Sequence, residues 1–274
     1  MINFRTDLAV ERNNIYKKEN NIENEIDGVK IENTEKENIE ISRVEIVNEK
    51  GEKALEKPIG NYVTIDIKKM KYIDETEIEI ISKVLSDELK NMIRKSVKED
   101  DSILVVGLGN RYVTPDSLGP KVVSKIEVTR HILEYMPHAM PEKTRPVSAI
   151  SPGVLGITGI ETIEILKGIT QNTNPKMIIA IDALATRNIE RISSSIQLAD
   201  TGIVPGAGVN NTRKEISKTT LNIPVLAIGI PTVVSLAAIT NDENYKDMIV
   251  TPKEIDELIE NMSKIVSKGI NLAM

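Results

Sequence analysis

The chain of 274 residues contains no cysteine and no tryptophan, and Phe4 is its one phenylalanine. The absence of cysteine excludes disulfides, thiolate catalysis and cysteine-ligated metals, and it is typical of proteins in a reducing compartment. Aromatic residues make up 3% of the chain, too few for the stacking platforms that bind single-stranded nucleic acid. A packed core must therefore be built from aliphatic side chains.

The chain also has no excess of positive charge and no long apolar run. The formal net charge is −6, which argues against binding to a phosphate backbone, so we expect no nucleic-acid partner. No apolar run approaches the ~20 residues of a membrane-spanning helix. The first residues, "MINFRTDLAVERNN", lack an apolar signal core. We expect a soluble cytoplasmic protein that makes no membrane contact.

The front part of the chain, about residues 8–100, is crowded with charge. The stretch "ERNNIYKKENNIENEIDGVKIENTEKEN" is polar enough to leave its first half mobile. The stretches "IEISRVEIVN" and "NYVTIDIKKM" alternate apolar and polar residues and predict an antiparallel pair of strands at a sheet edge. After them, "DETEIEIISKVLSDELKNMIRKSV" predicts an amphipathic helix that begins with a capping box of Asp74 and Glu77.

From about residue 101 to residue 274, strand and helix patterns alternate. The predicted strands are "SILVVGL", "PVSAIS", "PKMIIAIDALA", "SSIQLAD" and "IPVLAIGI". The predicted helices are "SLGPKVVSKIEVTRHIL", "TGIETIEILKGI" with a capping box of Thr158 and Glu161, and "TPKEIDELIENMSKIVSKGI" with Thr251 as N-cap. This order predicts an α/β fold, a mostly parallel (mixed) sheet flanked by helices on both faces, with an antiparallel segment added by the front part. We expect one domain over residues 8–274.

Two acids lie where such a sheet gathers functional groups, beyond the carboxyl ends of its strands. Asp116 follows "ILVVGL", and Asp182 ends "MIIAID". Two carboxyl groups at short range do not both ionise easily, so the charged one can activate a water while the neutral one donates a proton. Each acid also has an ordinary interpretation: Asp116 as a helix N-cap, and Asp182 as a strand-end acid bound to backbone amides.

A glycine-containing turn, "GLGN", precedes Asp116. Its glycines permit positive φ, whereas a dinucleotide site would need a third glycine where Tyr112 stands. The segments "SPGVLGITG" and "GIVPGAGVNNTRKEIS" are either plain loops or cleft walls that hold an extended peptide through backbone hydrogen bonds. The candidate cleft-lining residues are Gly107, Gly109, Asn110, Gly153, Gly206 and Gly208.

Other catalytic patterns are poorly supported. His131 and His138 lie beside acidic and proline-rich sequence, away from strand ends, and we interpret both as surface residues. No H-E-x-x-H is present and no serine stands in a G-x-S-x-G elbow, so serine hydrolase chemistry is not indicated.

The stretches "GLGNRYVTPDSLGP", "AISPGVLGITGIET", "IDALATRNIERISSSIQLADTGIVPGAGVNNTRKEIS" and "VLAIGIPTVV" resemble the spore germination protease family. That family degrades small acid-soluble spore proteins when spores germinate. The resemblance implies an atypical aspartic endopeptidase with Asp116 and Asp182 as its catalytic pair. It also implies a homotetramer of the spore core, made as a zymogen and activated by self-cleavage.

The first of these stretches is similar, more distantly, to hydrogenase maturation endopeptidases. That family adds a histidine to its two metal-binding acids. Neither His131 nor His138 follows Asp182, so the metal triad does not carry over, and we expect no bound metal and no cofactor.

The stretch "RTDLAVE" resembles the family's self-processing site, which mimics the substrate sequence Thr-Glu-(Ile/Phe)-Ala-Ser-Glu. Thr6, Asp7, Leu8, Ala9 and Glu11 match it by type. By this resemblance the cut falls between Asp7 and Leu8, which makes residues 1–7 the propeptide. Without the resemblance, these residues are an ordinary frayed terminus.

Two rival functions remain open. One is a metal-dependent peptidase that uses the same acids with a further ligand, and the other is a module that grips spore proteins without cutting them. Arg111, Arg187 and Arg191 are either ligands for the substrate carboxylate or surface charges. From an acid pair that shares a proton, we expect self-processing to accelerate as the pH falls from neutral.

Overall fold

The computed structural model describes residues 7–22, 24–37, 39–67, 73–186, 188–206, 213–240, 242–245 and 248–274. Within these ranges nine strands form one sheet. The strands are β1 (Val29–Lys36), β2 (Ile39–Ile46), β3 (Gly60–Ile67), β4 (Ile103–Gly107), β5 (Val147–Ile150), β6 (Met177–Thr186), β7 (Ser195–Ala199), β8 (Val225–Ser235) and β9 (Ile249–Val250). The helices are α1 (Ala9–Asn20), α2 (Glu49–Leu55), α3 (Glu75–Ile93), α4 (Leu118–Val123), α5 (Arg130–Tyr135), α6 (Leu155–Thr158), α7 (Thr162–Thr173), α8 (Lys218–Leu221), α9 (Leu236–Thr240) and α10 (Ile255–Ala273).

The strand order is β1-β2-β3-β7-β8-β6-β4-β5, and β9 pairs with β8. Strands β8, β6, β4 and β5 run parallel to one another and form the parallel half of the sheet. Strands β7, β3, β2 and β1 are joined by antiparallel pairing and form the antiparallel half. The predicted α/β fold with a mixed sheet is confirmed, and the strands of the front part extend that sheet.

Helices cover both faces of the parallel half, because alternate residues of its strands face opposite sides. Val105 of β4 and Ile179 of β6 belong to a core cluster with α3 and α10. Leu104 and Ile178, their neighbours in sequence, belong to a second cluster with α7. Each side chain buried on a strand therefore has a helix to pack against, as expected of a largely parallel region.

The face of the antiparallel half that lies opposite α3 and α10 is covered by α1 and α2. Ala9 of α1 and Leu55 of α2 pack there with Val29 and Tyr62. The prediction that the first half of the charged stretch is mobile is wrong for residues 11–20, which belong to α1. A few apolar residues at the start of this helix are buried against the sheet, and this tertiary packing outweighs its polar composition.

One predicted helix is divided in two. The stretch "SLGPKVVSKIEVTRHIL" forms α4 and α5, separated by residues 124–129. Thr129 accounts for the break: its N–H donates to the carbonyl of Val147 at 3.0 Å, and its Oγ1 accepts from the Val147 N–H at 2.9 Å. These bonds tie the chain to the start of β5 and prevent one continuous helix.

Of the predicted helix starts, one is confirmed. Asp74 caps α3 in a capping box with Glu77. By contrast, α7 begins after Glu161 without a side-chain cap, and Thr158 ends the preceding short α6. Thr251 does not cap α10, which begins four residues later. None of the helices in the described ranges is long and apolar enough to cross a bilayer.

Candidate active site

Asp182 lies inside β6. The sequence analysis placed it at the end of that strand, but pairing with β8 continues beyond it to the last residue of β6. Asp182 pairs in register with Gly229, and its side chain is 5% exposed. Its Oδ1 accepts a hydrogen bond from the Ala183 N–H at 2.9 Å. The carboxyl group is therefore fixed on a central strand, where little water reaches it.

Asp116 and the glycine turn form one folded unit. Gly109 has φ +103°, and a Cβ built there would lie 2.1 Å from the main-chain oxygen of Asp116. The Asn110 N–H donates to Oδ2 of Asp116 at 2.9 Å and to its main-chain oxygen at the same distance. Asp116 does not cap α4, whose N-cap is Ser117. The turn thus requires glycine and holds the carboxylate against the end of β4.

Asp116 and Asp182 line the same cleft, which has a volume of about 450 Å³. Of the candidate lining residues, the structure places four in its wall: Gly109, Asn110, Gly153 and Gly206. Gly107 is not among the lining residues; it is buried at the end of β4 against the backbone of Gly119. Gly208 lies outside the described residues.

The surroundings of the two acids raise their pKa values to different extents. Burial raises the pKa of Asp116 from 3.8 to about 6, and the hydrogen bond from the Asn110 N–H opposes this rise. Burial also raises the pKa of Asp182 well above its usual value, and the negative charges of Asp116 and Asp7 raise it further. Asp116 is therefore the acid that ionises first as the pH rises, and Asp182 holds its proton to higher pH.

Asp7 enters this cleft from the other end of the chain. The Ala185 N–H donates to Oδ2 of Asp7 at 3.1 Å, and the Asp7 N–H donates to the carbonyl of Ala185 at 3.4 Å. The next two residues, Leu8 and Ala9, have no exposed surface. The segment therefore lies along the end of β6, with Asp7 in the cleft and Leu8 buried beside it.

Gln197 of β7 holds the main chain on both sides of Leu8. Its Nε2 donates to the carbonyl of Asp7 at 2.8 Å, and its Oε1 accepts from the Ala9 N–H at 2.7 Å. Through β8, Gln197 is in register with Asp182, two strands away, or about 10 Å. Gly229 lies between them without a side chain, and the side chain of Leu184 occupies the space above it.

The sequence analysis identified Gln197 only as part of a strand. The one available signal was a polar residue between apolar neighbours in "SSIQLAD". The structure shows that its side chain is 7% exposed and that both polar atoms are hydrogen-bonded to the segment containing Asp7.

Of the arginines considered as ligands for a substrate carboxylate, Arg111 and Arg191 are not among the residues that line the cleft. Arg191 contacts Asp66, with Nη2 and Oδ2 3.1 Å apart, and Glu11, with Nε and Oε1 3.6 Å apart. Arg111 is exposed in the turn before Asp116, and Arg187 lies outside the described residues.

Two other cations lie near the Asp7 carboxylate. A recess of about 350 Å³ adjoins the cleft, and Lys57 and Arg12 lie in its wall. Asp7 lines both hollows. Burial raises the pKa of Asp7, and the positive charges of Lys57 and Arg12 oppose this rise. The sequence analysis assigned no role to either cation.

The histidines take no part in the cleft. Both His131 and His138 are exposed, as predicted. Within the described part of the chain, no group of three or more histidine, aspartate or glutamate side chains is arranged to hold a metal ion.

Known proteins resemble this chain over most of its length. The sequence model of the germination protease family matches residues 5–245. The germination protease of Clostridium acetobutylicum is 45% identical over 316 aligned residues, covering 100% of this chain and 96% of that protein. The one from Priestia megaterium is 49% identical over 243 residues, covering 87% and 65%. Among solved structures, the NiFe hydrogenase maturation protease HycI from Thermococcus kodakarensis matches with a TM-score of 0.37 and 15% identity, over 67% of this chain and 98% of its own. The chain belongs to the germination protease family.

Proposed function

We propose that this protease is an endopeptidase with an aspartic mechanism, in which Asp116 acts as general base and Asp182 as general acid. One observation carries the proposal: a half-buried and a buried carboxyl group line one cleft, and the charge of Asp116 raises the pKa of Asp182 further, so that Asp116 ionises first. Such a pair supplies both proton transfers that hydrolysis of a peptide bond needs.

In the proposed reaction, Asp116 takes one proton from a water molecule as the water oxygen attacks the carbonyl carbon of the scissile bond. Asp182 donates its proton to the carbonyl oxygen, which gives a tetrahedral diol. When the diol collapses, the C–N bond breaks and the proton held by Asp116 passes to the leaving nitrogen. A hydroxyl proton returns to Asp182, so both acids regain their starting states.

We propose that the bond between Asp7 and Leu8 is the self-processing site of a zymogen. Asp7 supports this assignment because it lies in the cleft with the two acids. Gln197 would position the bond, since it binds the carbonyl of Asp7 and the N–H of Ala9. While attached, residues 1–7 compete with substrates for the cleft, and their loss shifts the population toward the open site.

The proposed substrates are small acid-soluble spore proteins, cut after an acidic residue. The membership of the germination protease family supports a role in spore germination. An extended, flexible chain suits a cleft whose walls include exposed main chain at Gly153 and Gly206, which can hydrogen-bond a peptide backbone.

We further propose a homotetramer. Large apolar side chains are exposed on the surface, with Tyr112 78% and Tyr135 76% exposed, and such side chains are common in interfaces between subunits. Light scattering coupled to size-exclusion chromatography should give four times the mass of the chain. A monomer at micromolar concentration would contradict this assembly.

The test of the acid pair is the intact mass of the purified protein over time near pH 7. We expect the wild type to lose residues 1–7, whereas Asp116→Asn and Asp182→Asn keep them. Asp256→Asn, which replaces an exposed acid of α10, is the matched control and should process like the wild type. Processing that continues in Asp116→Asn would refute the assignment.

A chelator separates the proposal from a metal-dependent peptidase, and the behaviour of the variants separates it from a module that only binds. A metal-dependent peptidase would stop processing when chelator is added, and the proposed acid pair would not. A module that only binds spore proteins would show no loss of mass in any variant, and its affinity for an acidic peptide would survive Asp116→Asn.

A further inference from the structure

The recess beside the cleft is a separate hollow that opens next to the Asp7 carboxylate. It shares Asp7, Leu184 and Val204 with the cleft, so a residue bound in one hollow can reach into the other. Besides Asp7, its wall carries four charged groups, two of each sign: Arg12, Glu56, Lys57 and Glu215.

Only one of the two cations has its own counter-ion there. Arg12 is paired with Glu56, with Nη2 and Oε2 2.6 Å apart. Lys57 has no carboxylate within 4.0 Å among the described residues; the opposite charge that most affects it is that of Asp7. A partly buried ammonium group without an ion pair is costly unless a ligand supplies the negative charge.

The backbone that carries Lys57 is held in place. The Lys57 N–H donates to the carbonyl of Glu52 at 3.3 Å, at the C-terminal end of α2. The next residue, Pro58, accepts a hydrogen bond from the hydroxyl of Tyr62 at 2.7 Å. The ammonium group lies 5.8 Å from the centre of the Tyr62 ring, a cation–π distance. The position of the charge is therefore set by α2 and β3 before any ligand arrives.

Asp7 stands in for the ligand of this recess. Its main-chain carbonyl is bound by Gln197, and its carboxylate accepts from the Ala185 N–H and lies in the field of Lys57. An acidic side chain on a substrate bound in the same register would find the same two partners, an amide and a cation.

We propose that Lys57 is the residue that selects an acidic side chain immediately before the scissile bond, both in the propeptide (residues 1–7, also called the leader) and in substrates. The inference rests on the proposed function, because it takes the bond after Asp7 as the one that is cut. It predicts that the preference of the protease for an acid over the corresponding amide depends on Lys57.

The experiment is a double-mutant cycle on the full chain, in which the rate of propeptide loss is measured by intact mass. The four proteins are the wild type, Asp7→Asn, Lys57→Met and the double variant. We expect Asp7→Asn to slow processing roughly 10- to 100-fold when Lys57 is present, and less than about threefold in the Lys57→Met background. Lys57→Arg should restore the acid preference. Lys53→Met, which removes an exposed lysine from the preceding helix α2, should leave it unchanged.

The opposite result is equally clear. If Asp7→Asn slows processing by the same factor with methionine at position 57 as with lysine, the pocket does not select through Lys57 and the inference is overturned. In that outcome Lys57→Met slows the chain with Asp7 and the chain with asparagine at position 7 by the same factor, which is the effect of a merely structural residue.

A second cycle keeps the inference separable from the proposed function. The same four proteins are melted in the Asp116→Asn background, where the leader stays attached. If Lys57 binds the acid, Asp7→Asn lowers Tm when lysine is present and has little effect when methionine replaces it. Additive shifts in Tm would overturn the inference. Failure of the wild type to process would count against the proposed function, and this melting cycle would still decide the role of Lys57.

Discussion

The two halves of the sheet contribute different things to the candidate site. The parallel half carries both acids: Asp182 on β6, and Asp116 in the turn after β4. The antiparallel half and its helices carry two groups that act on Asp7: Gln197 on β7 donates to its main-chain carbonyl, and the positive charge of Lys57, after α2, acts on its carboxylate. The proposed chemistry therefore lies on one half, and the proposed selection of the peptide lies on the other.

The difference follows from how the halves are built. In the parallel half, the ends of adjacent strands meet at one edge, so loops from distant parts of the sequence bring their side chains together. In the antiparallel half, long side chains stand on one face of the sheet, under α1 and Asp7. A change in the first half should affect the rate of chemistry, whereas a change in the second should affect which peptide is held and how well.

The largest expected effect is on the acid pair. Asp116→Asn and Asp182→Asn should each reduce processing about 1,000-fold or more, because each removes a required proton transfer. The double variant should be no slower than the slower single variant, since the two groups act as a unit. Intact mass over days measures the three rates. If the loss of rate in the double variant equals the product of the losses in the two single variants, the acids act separately.

The glycine turn of the parallel half should be sensitive to a substitution at Gly109. Gly109→Ala forces a Cβ to 2.1 Å from the Asp116 backbone at a positive φ, so we expect a loss of about 3 kcal/mol in the free energy of unfolding. Gly168→Ala is the matched control, because its Cβ would meet no atom within 4 Å inside α7, and it should stabilise the protein slightly. Urea unfolding of both variants measures the difference. Equal effects would contradict the close packing of the turn.

On the antiparallel half, Gln197→Leu should slow processing about 100-fold, because it removes the donor to the scissile carbonyl and the acceptor for the Ala9 N–H. The change in Tm is measured in parallel, so that a loss of fold is not mistaken for a loss of positioning. Gln171→Leu, an exposed position on α7, is the control. A normal rate in Gln197→Leu would remove this half from the proposed mechanism.

The pH dependence should give the smallest effect and the sharpest comparison of the two acids. The base must be ionised, so processing should fall about tenfold per pH unit below the Asp116 pKa of about 6. The acid must be protonated, so the rate should fall again above the raised pKa of Asp182. Burial thus moves the expected window upward from the acid range that an acid pair sharing a proton predicts. A rate that rises continuously from pH 7 to pH 4 would contradict the assignment of Asp116 as the base.

Much of the parallel half was predictable because its signals are local. Apolar runs of five to ten residues predict β4 and β6, and the acid after each run predicts the edge where the groups meet. Helix starts were predicted less well: the capping box at Asp74 is confirmed, whereas Thr158 and Thr251 cap no helix. A capping sequence forms a cap only when the tertiary structure allows the helix to begin there.

The residues that the antiparallel half contributes to the candidate site were not predictable in the same way. Gln197 and Asp7 are 190 residues apart in the sequence, and their hydrogen bond depends on β7 lying between β3 and β8. Lys57 is one of many lysines in a charged stretch, and nothing in its local pattern distinguishes it from Lys53. Only the fold shows that Lys57 lines the recess beside the cleft whereas Lys53 faces solvent.

The sequence by itself determined the aliphatic core, the α/β class and the two acids that follow or lie within apolar strands, because hydrophobic periodicity is a property of neighbouring residues. The tertiary structure decided which acid ionises first and which groups hold Asp7. Those properties depend on burial and on charges brought close from distant parts of the chain: Asp182 is the more deeply buried acid and lies in the fields of Asp116 and Asp7. Desolvation and charge–charge distance exist only once the chain has folded.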